Sequence, residues 1–382
     1  MGVQGHGFAE LIEAIQSQQF SRQEAFHYFY HLGEKDNDVS AFKIHWESLP
    51  AYSFDRADLV MSIHSIAKKL NDVSERKDKY QGVVQTIEQN TSVWENEALA
   101  FINEFDERDL AMTLWSFTSM GIAPSENFMS AMRERAENVF NHQDARYLRG
   151  YLWTLAMADR IAPSIENSAH FEQLRSFVKI PHQKRTRKNV YDADLWFRGK
   201  SDVKNPIEGD KTHSDGVLDL KKAFEQAGYN VEEFASPVGP LPQAINLVVS
   251  KPNGDEKLYI EVGGYNAFLN TGTDDNQKFF YNGRKLFRSG LIEKFTQDKH
   301  VLYMGPDMIE LFQRAAQSDK AKNEASKSLS NKLCDTIFNS VVNKKSAGVY
   351  RARDDSRRAG TKYRPPIIEP FFVQQCRLEL VH

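Results

Sequence analysis

Cysteine is almost absent from this chain of 382 residues, which contains Cys334 and Cys376 alone. Two cysteines are too few for a disulfide framework or a four-ligand zinc site, so we expect a reducing compartment. The sequence has no run of eighteen apolar residues, and no membrane span is predicted. Residues 1–20 lack the basic start and apolar block of a secretion signal, and Glu10 and Glu13 argue against an organelle presequence. These absences predict a cytoplasmic protein without a membrane partner.

Several catalytic signatures are missing as well. The eleven histidines show no HExxH or paired ligand spacing, which disfavours a zinc enzyme. Glycine patterns of the GxGxxG and Walker types are absent, which disfavours nucleotide binding. The serines and cysteines have no nucleophile-elbow context. No cofactor is therefore predicted from these patterns.

Charge is divided unequally along the chain, although the net charge is −3. Residues 1–180 contain 26 acidic and 17 basic residues, a balance of −9. Residues 181–382 contain 26 acidic and 32 basic residues, a balance of +6. This asymmetry predicts that a polyanion binds the second half. The acidic first half is expected either to bind a basic protein or to pack against the basic second half.

The first half contains a helical repeat. Segments that begin at Phe105 and Phe140 share an aspartate four positions on, a Leu-Trp pair and an Ile-Ala-Pro-Ser exit. Weaker copies begin at Phe54 and Phe20, so the starting points differ by 34, 51 and 35 residues. A period of about 35 residues is typical of a two-helix solenoid unit.

The shared residues of the repeat have structural roles. We expect the aspartates in the first turn of a helix, where they suit the macrodipole and the free amides; they are Asp58, Asp109 and Asp144. We expect the Leu-Trp pairs on the buried stripe between helices; they are Leu114, Trp115, Leu152 and Trp153.

The pattern changes after residue 180. The basic stretch Pro181–Lys188 opens a linker over 181–212, which is either a solvated connector or an arm that contacts phosphates through Lys184, Arg185 and Arg187. Beyond it we predict an α/β region with a helix over Gly216–Gly228, ended by Gly228. Met308–Val342 is predicted to be helical, and the basic tail from Lys344 is expected to be mobile.

Strands alternate with a turn and a helix in this α/β region. The predicted elements are strands Tyr229–Phe234, Ala244–Ser250 and Leu258–Val262, a helix Asp274–Ser289 and a strand His300–Met304. A hairpin turn at Pro252–Asp255 joins the second and third strands.

Glu261 is the main candidate for a functional residue, because it ends a predicted strand beside the glycine turn Gly263–Gly264. Strand ends beside loops are where α/β folds place ligand contacts. One alternative is that its carboxylate caps the next turn or pairs with Arg284 or Lys285. The other is that it contacts a substrate in a cleft.

The helix that follows carries a basic face beside an aromatic loop. Helical spacing groups three bases on one broad face; they are Lys278, Lys285 and Arg288, with Arg284 nearby. Tyr265 and Phe268 precede them. Such a face suits a phosphate backbone with a stacked base, and a merely solvated face is the alternative.

These motifs together resemble a known family. The Phe-x-x-x-Asp-Leu and Leu-Trp repeats over 20–180 resemble those of octotricopeptide and FAST-kinase-like RNA-binding proteins, in which a RAP domain follows. Residues 213–310 resemble that RAP domain. The matching positions are Ile245–Val249, Glu261–Gly264, Phe268, Thr273, Lys278, Arg284–Leu286, Gly290 and Val301–Met304.

The resemblance implies a fold: an N-terminal α-helical repeat solenoid, then a restriction-endonuclease-like α/β RAP domain, and a helical and basic C-terminal extension. The implied bounds are 1–180 for the repeats, 181–212 for the linker, 213–310 for the RAP-like domain and 311–382 for the extension.

The same resemblance implies a nuclease ancestry, with Mg²⁺ or Mn²⁺ held by two carboxylates and assisted by a lysine. Glu261 matches one carboxylate. Asn246 stands where the first aspartate is expected, Gly263 where the lysine is expected, and Ala267 replaces a histidine. Glu225 as a ligand and Lys278 as the lysine are the residues that would complete the site.

Three functions follow from these expectations. The leading one is RNA binding, with the RAP-like domain on the phosphate backbone, acting on RNA stability, processing or translation. The second is a metal-dependent nuclease centred on Glu261. The third is a protein-interaction module, for instance a bacterial protein delivered into a host cell.

Overall fold

The computed structural model describes most of the chain between residues 56 and 354, together with one C-terminal strand. The described ranges are 56–72, 83–141, 147–179, 184–204, 215–235, 240–241, 245–262, 268–270, 279–281, 283–295, 300–304, 308–309, 311–313, 329–342, 348–354 and 376–380. Within some helices and strands it describes the backbone alone. The repeat copy that begins at Phe20, and Tyr265 and Lys278, lie outside these ranges.

The chain divides into two compact units. The helical unit comprises Met1–Ile180, Leu269–Thr273 and Gln277–Leu286. The sheet unit comprises Pro181–Phe268, Asp274–Asn276 and Phe287–His382. The described structure is therefore of the α+β class.

Six helices form the described part of the helical unit between residues 56 and 179. They are α1 (Arg56–Asp72), α2 (Val83–Ala100), α3 (Glu107–Ser119), α4 (Glu126–Val139), α5 (Leu148–Ile161) and α6 (Ile165–Arg175). The first helices of successive pairs lie side by side, since α3 packs on both α1 and α5, while α2 packs on α4. Among the described residues, no helix has the length and apolar character needed to cross a membrane.

Large apolar side chains fill the space between these helices. Trp94 of α2 contacts Phe117 and Phe128 edge-on, with ring centroids 5.2 and 5.7 Å away. Leu114 and Leu152 are fully buried, as the repeat pattern predicts. Their neighbours Trp115 and Trp153 are half-buried instead, so the second member of each Leu-Trp pair lies at the edge of the core.

One of the repeated aspartates, Asp109, links its helix pair to the preceding one. Asp109 lies in the first turn of α3, as predicted, and forms a capping box with Asp106. Its carboxylate also lies 3.3 Å from Nε of Arg56, at the start of α1. Arg56 donates a second hydrogen bond to the Glu104 carbonyl, at 2.7 Å. Burial raises the pKa of Asp109, so this paired carboxylate lies in a partly desolvated junction.

The predicted linker contains a helix. In the sheet unit, α7 covers Lys184–Arg198, where the sequence suggested a connector over 181–212. Its later residues Val190, Ala193 and Leu195 are buried, and the Tyr191 hydroxyl donates to the Pro240 carbonyl at 2.6 Å. The basic start of the segment concealed an apolar stripe of helical period, which is sufficient to fix a helix against a domain.

The remaining elements of the sheet unit build a mixed sheet with helices. They are α8 (Asp215–Gln226), β1 (Asn230–Ala235), β2 (Ile245–Ser250), β3 (Lys257–Val262), β4 (Phe268–Asn270), β5 (Phe279–Tyr281), α9 (Gly283–Phe295), β6 (His300–Met304), α10 (Leu329–Val342), β7 (Gly348–Asp354) and β8 (Cys376–Leu380). Of these elements, all of β5, residues 269–270 of β4 and residues 283–286 of α9 belong to the helical unit.

Six strands form one sheet in the order β1-β2-β3-β6-β7-β8, and β4 pairs with β5. Neighbours β1, β2 and β3 are antiparallel, β3, β6 and β7 are parallel, and β8 is antiparallel to β7. The predicted strands around residues 230, 247, 260 and 302 are all present. The turn at Pro252–Asp255 joins β2 to β3, with a hydrogen bond from Gly254 N to the Lys251 carbonyl at 3.1 Å.

Alternation along the strands separates two faces of this sheet. Leu247, Ile260 and Leu302 belong to one apolar core with α8 and α10. Tyr229 seals an edge of that core, because its hydroxyl donates to Asp335 at 2.8 Å. Glu261 follows Ile260 and therefore faces the opposite side.

Two elements differ from the sequence prediction. The tail after residue 344, which was predicted to be mobile, contributes β7 and β8 to the sheet. There β7 pairs with β6 as its parallel neighbour. The described helix α9 begins at Gly283, whereas a helix was predicted from Asp274. Gly283 approaches α3 so closely that a Cβ would lie 1.6 Å from the Thr118 carbonyl oxygen, so this position requires glycine.

Glycine at the end of α8 provides a test of the backbone geometry. Gly228 has φ of 88°, and Tyr229 N donates to the Phe224 carbonyl at 3.0 Å. Gly228→Ala should lower the free energy of unfolding of the sheet unit by about 1 kcal/mol, because an L side chain is strained at positive φ. Urea denaturation followed by circular dichroism measures the change.

The matched control is Gly150→Ala in α5, where a Cβ meets nothing within 4 Å. Alanine there should raise the free energy of unfolding of the helical unit by about 0.5–1 kcal/mol, because it stabilises a helix interior. Equal effects of the two substitutions would contradict the assigned backbone conformations.

Candidate functional site

Two residues predicted for the site, Asn246 and Glu261, lie on neighbouring strands at one edge of the sheet. Leu247 of β2 pairs with Ile260 of β3, and the two polar residues stand one position beyond that pair. Opposite residues of an antiparallel pair point to the same face. Strands β3, β6 and β7 run parallel and end at this edge, which is where α/β sheets place ligand sites.

The backbone register extends this row across the sheet. Glu261 is in register with Tyr303 of β6, Tyr303 with Arg351 of β7, and Arg351 with Glu379 of β8. Five strands thus bring polar residues to one line, although sequence reasoning identified Asn246 and Glu261 alone. Tyr303 lay within a predicted strand, but its register with Glu261 is set by long-range pairing.

Glu261 is a buried carboxylate, with 8% of the residue exposed. Its Oε1 lies 3.6 Å from Nε of Arg288, whose side chain is 12% exposed. A charge this deep in a protein requires a paired charge or hydrogen bonds, because desolvation costs several kcal/mol. The structure shows a pairing with Arg288, one helical turn after Arg284 on α9. The sequence suggested Arg284 or Lys285 as partner, and the side chain of Lys285 lies outside the described part of the structure.

Asn246 is engaged with the backbone. Its Oδ1 accepts a hydrogen bond from Val262 N at 2.8 Å. This contact fastens the first part of β2 to the last residue of β3, directly beside Glu261. The Asn246 amide oxygen therefore positions the strand end.

Glu225 lies apart from this row. It is exposed on α8, and its carboxylate is 3.7 Å from Lys221, which also pairs with Glu233 of β1. Helix α8 packs on the sheet face that carries Leu247 and Ile260, and Glu261 faces the other side. The structure does not bring Glu225 and Glu261 together. Among the described residues, no group of three or more His, Cys, Asp or Glu side chains is arranged to hold a metal ion.

The predicted nucleic-acid contacts have different surroundings. Arg284 is exposed, and its guanidinium lies over the Trp153 ring, 5.7 Å from the centroid. Arg288 is held by Glu261, and Arg187 is half-buried on α7. The structure gives backbone positions alone for Lys184 and Arg185 on α7, Phe268 on β4 and Lys285 on α9.

A row of rings on the helical unit was missed by the sequence analysis. His64, Trp115 and Trp153 follow the buried Ile63, Leu114 and Leu152 on α1, α3 and α5, and all three rings are half-buried. The His64 and Trp115 rings contact each other in a tilted arrangement, with centroids 5.0 Å apart and planes inclined by 52°. We call these three residues the ring row. Their matching positions in the repeat were the signal that could have revealed it.

His64 lies in an electropositive part of this row. Burial lowers its pKa to about 4, and the Lys68 and Arg108 charges act in the same direction. The folded state therefore favours the neutral imidazole. Since an unfolded histidine titrates near 6.5, the associated stability is complete above pH 6.5 and is lost as the pH falls towards 4.

No protein-family model matches this chain, and no curated protein matches it. The functional argument therefore depends on the residues and their geometry.

The buried ion pair gives a prediction for stability. Arg288→Met should destabilise the sheet unit by about 3–5 kcal/mol, because it leaves the Glu261 carboxylate buried without this partner charge. The double variant Glu261→Met with Arg288→Met should recover much of that loss, and urea denaturation measures both. Lys257→Met, at an exposed position of β3, serves as the control and should change little. An additive double variant would show that the two side chains are not coupled.

The environment of His64 gives a prediction for its titration. In NMR spectra of the full chain, the ring signals of His64 should shift with a midpoint at about pH 4. Replacing Lys68 and Arg108 by glutamine should raise the midpoint, but not to 6.5, since burial is the largest cause. A wild-type midpoint close to 6.5 would contradict the described burial.

Proposed function

We propose that this protein binds nucleic acid, with RNA as the preferred class. In this proposal the helical unit is a repeat solenoid, and the sheet unit is a RAP-like domain of restriction-endonuclease-like fold that contacts the phosphate backbone. Regulation of RNA stability, processing or translation is the role that such binding would serve.

The arrangement of the elements supports the proposed architecture. Helices occur in successive pairs, and the first helix of each pair packs on its equivalent in the next. In the sheet unit, a helix precedes the antiparallel strands β1, β2 and β3, and β6 then adds parallel to β3 after α9. Both orders agree with the resemblance derived from the sequence motifs.

Exposed charge is the observation that carries the proposal. Among the side chains that the structure describes, the sheet unit exposes eight bases and five acids. The bases are Arg198, Lys200, Lys204, Lys222, Lys251, Lys257, Lys294 and Lys332. The helical unit exposes four bases and seven acids over its described residues. An excess of exposed bases on one unit supplies the field and the phosphate contacts that a polyanion requires.

Glu261 has a positioning role in this proposal. Its pairing with Arg288 and the hydrogen bond that Val262 N donates to Asn246 Oδ1 fix the end of β3 beneath α9. The same pairing favours a structural carboxylate over a metal ligand at this position.

Salt dependence tests the proposal directly. The full chain should bind a fluorescein-labelled single-stranded RNA of twelve nucleotides, and the logarithm of its binding constant should fall linearly with the logarithm of salt concentration. For single strands the slope is about −0.7 per neutralised phosphate. Replacing Lys184, Arg185 and Arg187 by glutamine should reduce the slope by about 2 if all three contact phosphates. Fluorescence anisotropy from 50 to 200 mM salt gives the slope.

Lys179→Gln is the matched control, since Lys179 is an exposed base at the end of the helical unit. It should leave the slope unchanged. Absence of RNA binding at 50 mM salt, or a slope near zero for the wild type, would overturn the proposed function.

A further inference from the structure

Residues along β7 and β8 alternate between the two faces of the large sheet. Leu302 and Met304 of β6 belong to the core that includes α10, and they are in register with Tyr350 and Ala352 of β7. Helix α10 also packs on β8. Positions that alternate with these lie on the opposite face of the sheet. The arginines of the two strands therefore share the face that carries Glu261.

Three arginines and one acid occupy four neighbouring positions on that face. Arg351 of β7 is opposite Glu379 of β8, and Arg353 is opposite Arg377. The other acid in the described residues of these two strands, Asp354, alternates with Arg353 and so lies on the core face. Three positive charges and one negative charge leave a balance of +2 at the four positions.

The pair Arg353 and Arg377 is unfavourable for an antiparallel ladder. Directly opposite residues have Cβ atoms about 4.5–5.5 Å apart, and like charges in such a pair are destabilising. The pair stands one residue beyond the end of β6, whose last residue Met304 is in register with Ala352. It therefore lies at the edge where the parallel strands β3, β6 and β7 end, which is where α/β sheets place ligand sites. A bound anion would replace the repulsion by two attractive contacts.

We propose that Arg351, Arg353 and Arg377 form a binding site for a phosphate monoester dianion. A guanidinium offers paired N–H donors that match two oxygens of one phosphate. A phosphate monoester carries a charge of about −1.5 to −2 at pH 7, which matches the balance of +2 on this face. A backbone phosphodiester carries a single negative charge and would leave the arginines incompletely neutralised. The charge balance therefore favours a terminal or free phosphate.

The phosphate site is separate from the pair formed by Glu261 and Arg288. That carboxylate and guanidinium lie 3.6 Å apart, and β3 is two strands away from β7 in the sheet order. Two strand spacings correspond to about 9–10 Å. The three arginines belong to the C-terminal extension over 311–382, outside the RAP-like region of the sequence. Binding of a phosphate group is independent of the proposed function, whereas a terminal phosphate of RNA as its source rests on that function.

Inorganic phosphate is the first probe, added to the full chain at constant ionic strength with chloride as the reference. Phosphate should raise the Tm of the wild type more than chloride does, because a ligand that binds the folded state stabilises it. Arg377→Gln should remove most of this increase. In chloride alone the same variant should keep the wild-type Tm or exceed it, because a like-charge pair is removed. Isothermal titration should show phosphate binding weakened about tenfold or more in Arg377→Gln.

Lys332→Gln is the matched control, since Lys332 is an exposed base on α10, which packs on the core face of the sheet. It should keep the full response to phosphate. Arg353→Gln is the second variant and should behave as Arg377→Gln does, and circular dichroism verifies that each variant is folded. A wild type that responds equally to phosphate and chloride overturns the inference. A phosphate response that persists in both arginine variants also overturns it.

RNA strands of twelve nucleotides distinguish the two sources of the phosphate. They carry a 5′-phosphate, a 3′-phosphate or no terminal phosphate. A terminal phosphate at the recognised end should strengthen binding about tenfold, and Arg353→Gln should abolish that difference. If all three strands bind equally while inorganic phosphate is retained through the arginines, the site stands and its ligand is free phosphate.

The two proposals fail in distinguishable ways. If the wild type binds inorganic phosphate through the arginines but binds no RNA, the proposed function is wrong and the phosphate site stands. If RNA binds with a steep salt slope while the arginine variants keep the wild-type response to phosphate, the phosphate site is wrong and the proposed function stands.

Discussion

Alternation of side chains along β3 is the constraint on which the sheet unit depends. Ile260 points into the core shared with α8 and α10, and the next residue, Glu261, points to the face where Arg288 holds it. A shift of one residue in the register with β2 would exchange them and bury the carboxylate among leucines. The Asn246 side chain opposes such a shift, because it is bonded to Val262 N. The same register between β2 and β3 therefore places both the polar residues of this row and the apolar residues of the core.

In the helical unit, acidic residues have structural roles. Asp109, one of the repeated aspartates, serves both as part of a helix cap and as the ion-pair partner of Arg56 in the preceding helix pair. Besides burial, the charges of Lys68 and Arg108 lower the pKa of His64, so the local charge there is opposite in sign to the net charge of residues 1–180. Partners are selected by the local field within a Debye length of about 8–10 Å.

Local patterns in the sequence were sufficient for much of the fold. The hairpin between β2 and β3 follows from alternating residues around a Pro-Asn-Gly-Asp turn, and the end of α8 follows from Gly228 at positive φ. Strands β7 and β8 could not be derived in this way, since their partners are distant in sequence. Helix α7 was missed because its basic first turn dominated the composition of the segment.

The candidate site was accessible to sequence reasoning in part. Glu261 was identified from a strand end and Asn246 from the family resemblance, and the structure places them on neighbouring strands one position beyond the Leu247–Ile260 pair. The pairing of Glu261 with Arg288 depends on the rotation of α9, which no local pattern sets. Helical periodicity could only assign Trp115 and Trp153 to the buried stripe. Their half-buried state depends on the stacking of three helices.

Gly283 fixes the beginning of α9 by contact of main chain with main chain. Its α-carbon lies against the last turn of α3, with the Thr118 carbonyl where a β-carbon would be. A contact between backbone atoms involves no side-chain torsions. It therefore varies less with thermal motion than a contact made by long side chains. The Arg284 side chain therefore starts from a fixed backbone position. The length of that side chain, and not the motion of a loop, limits how far its guanidinium extends over the Trp153 ring.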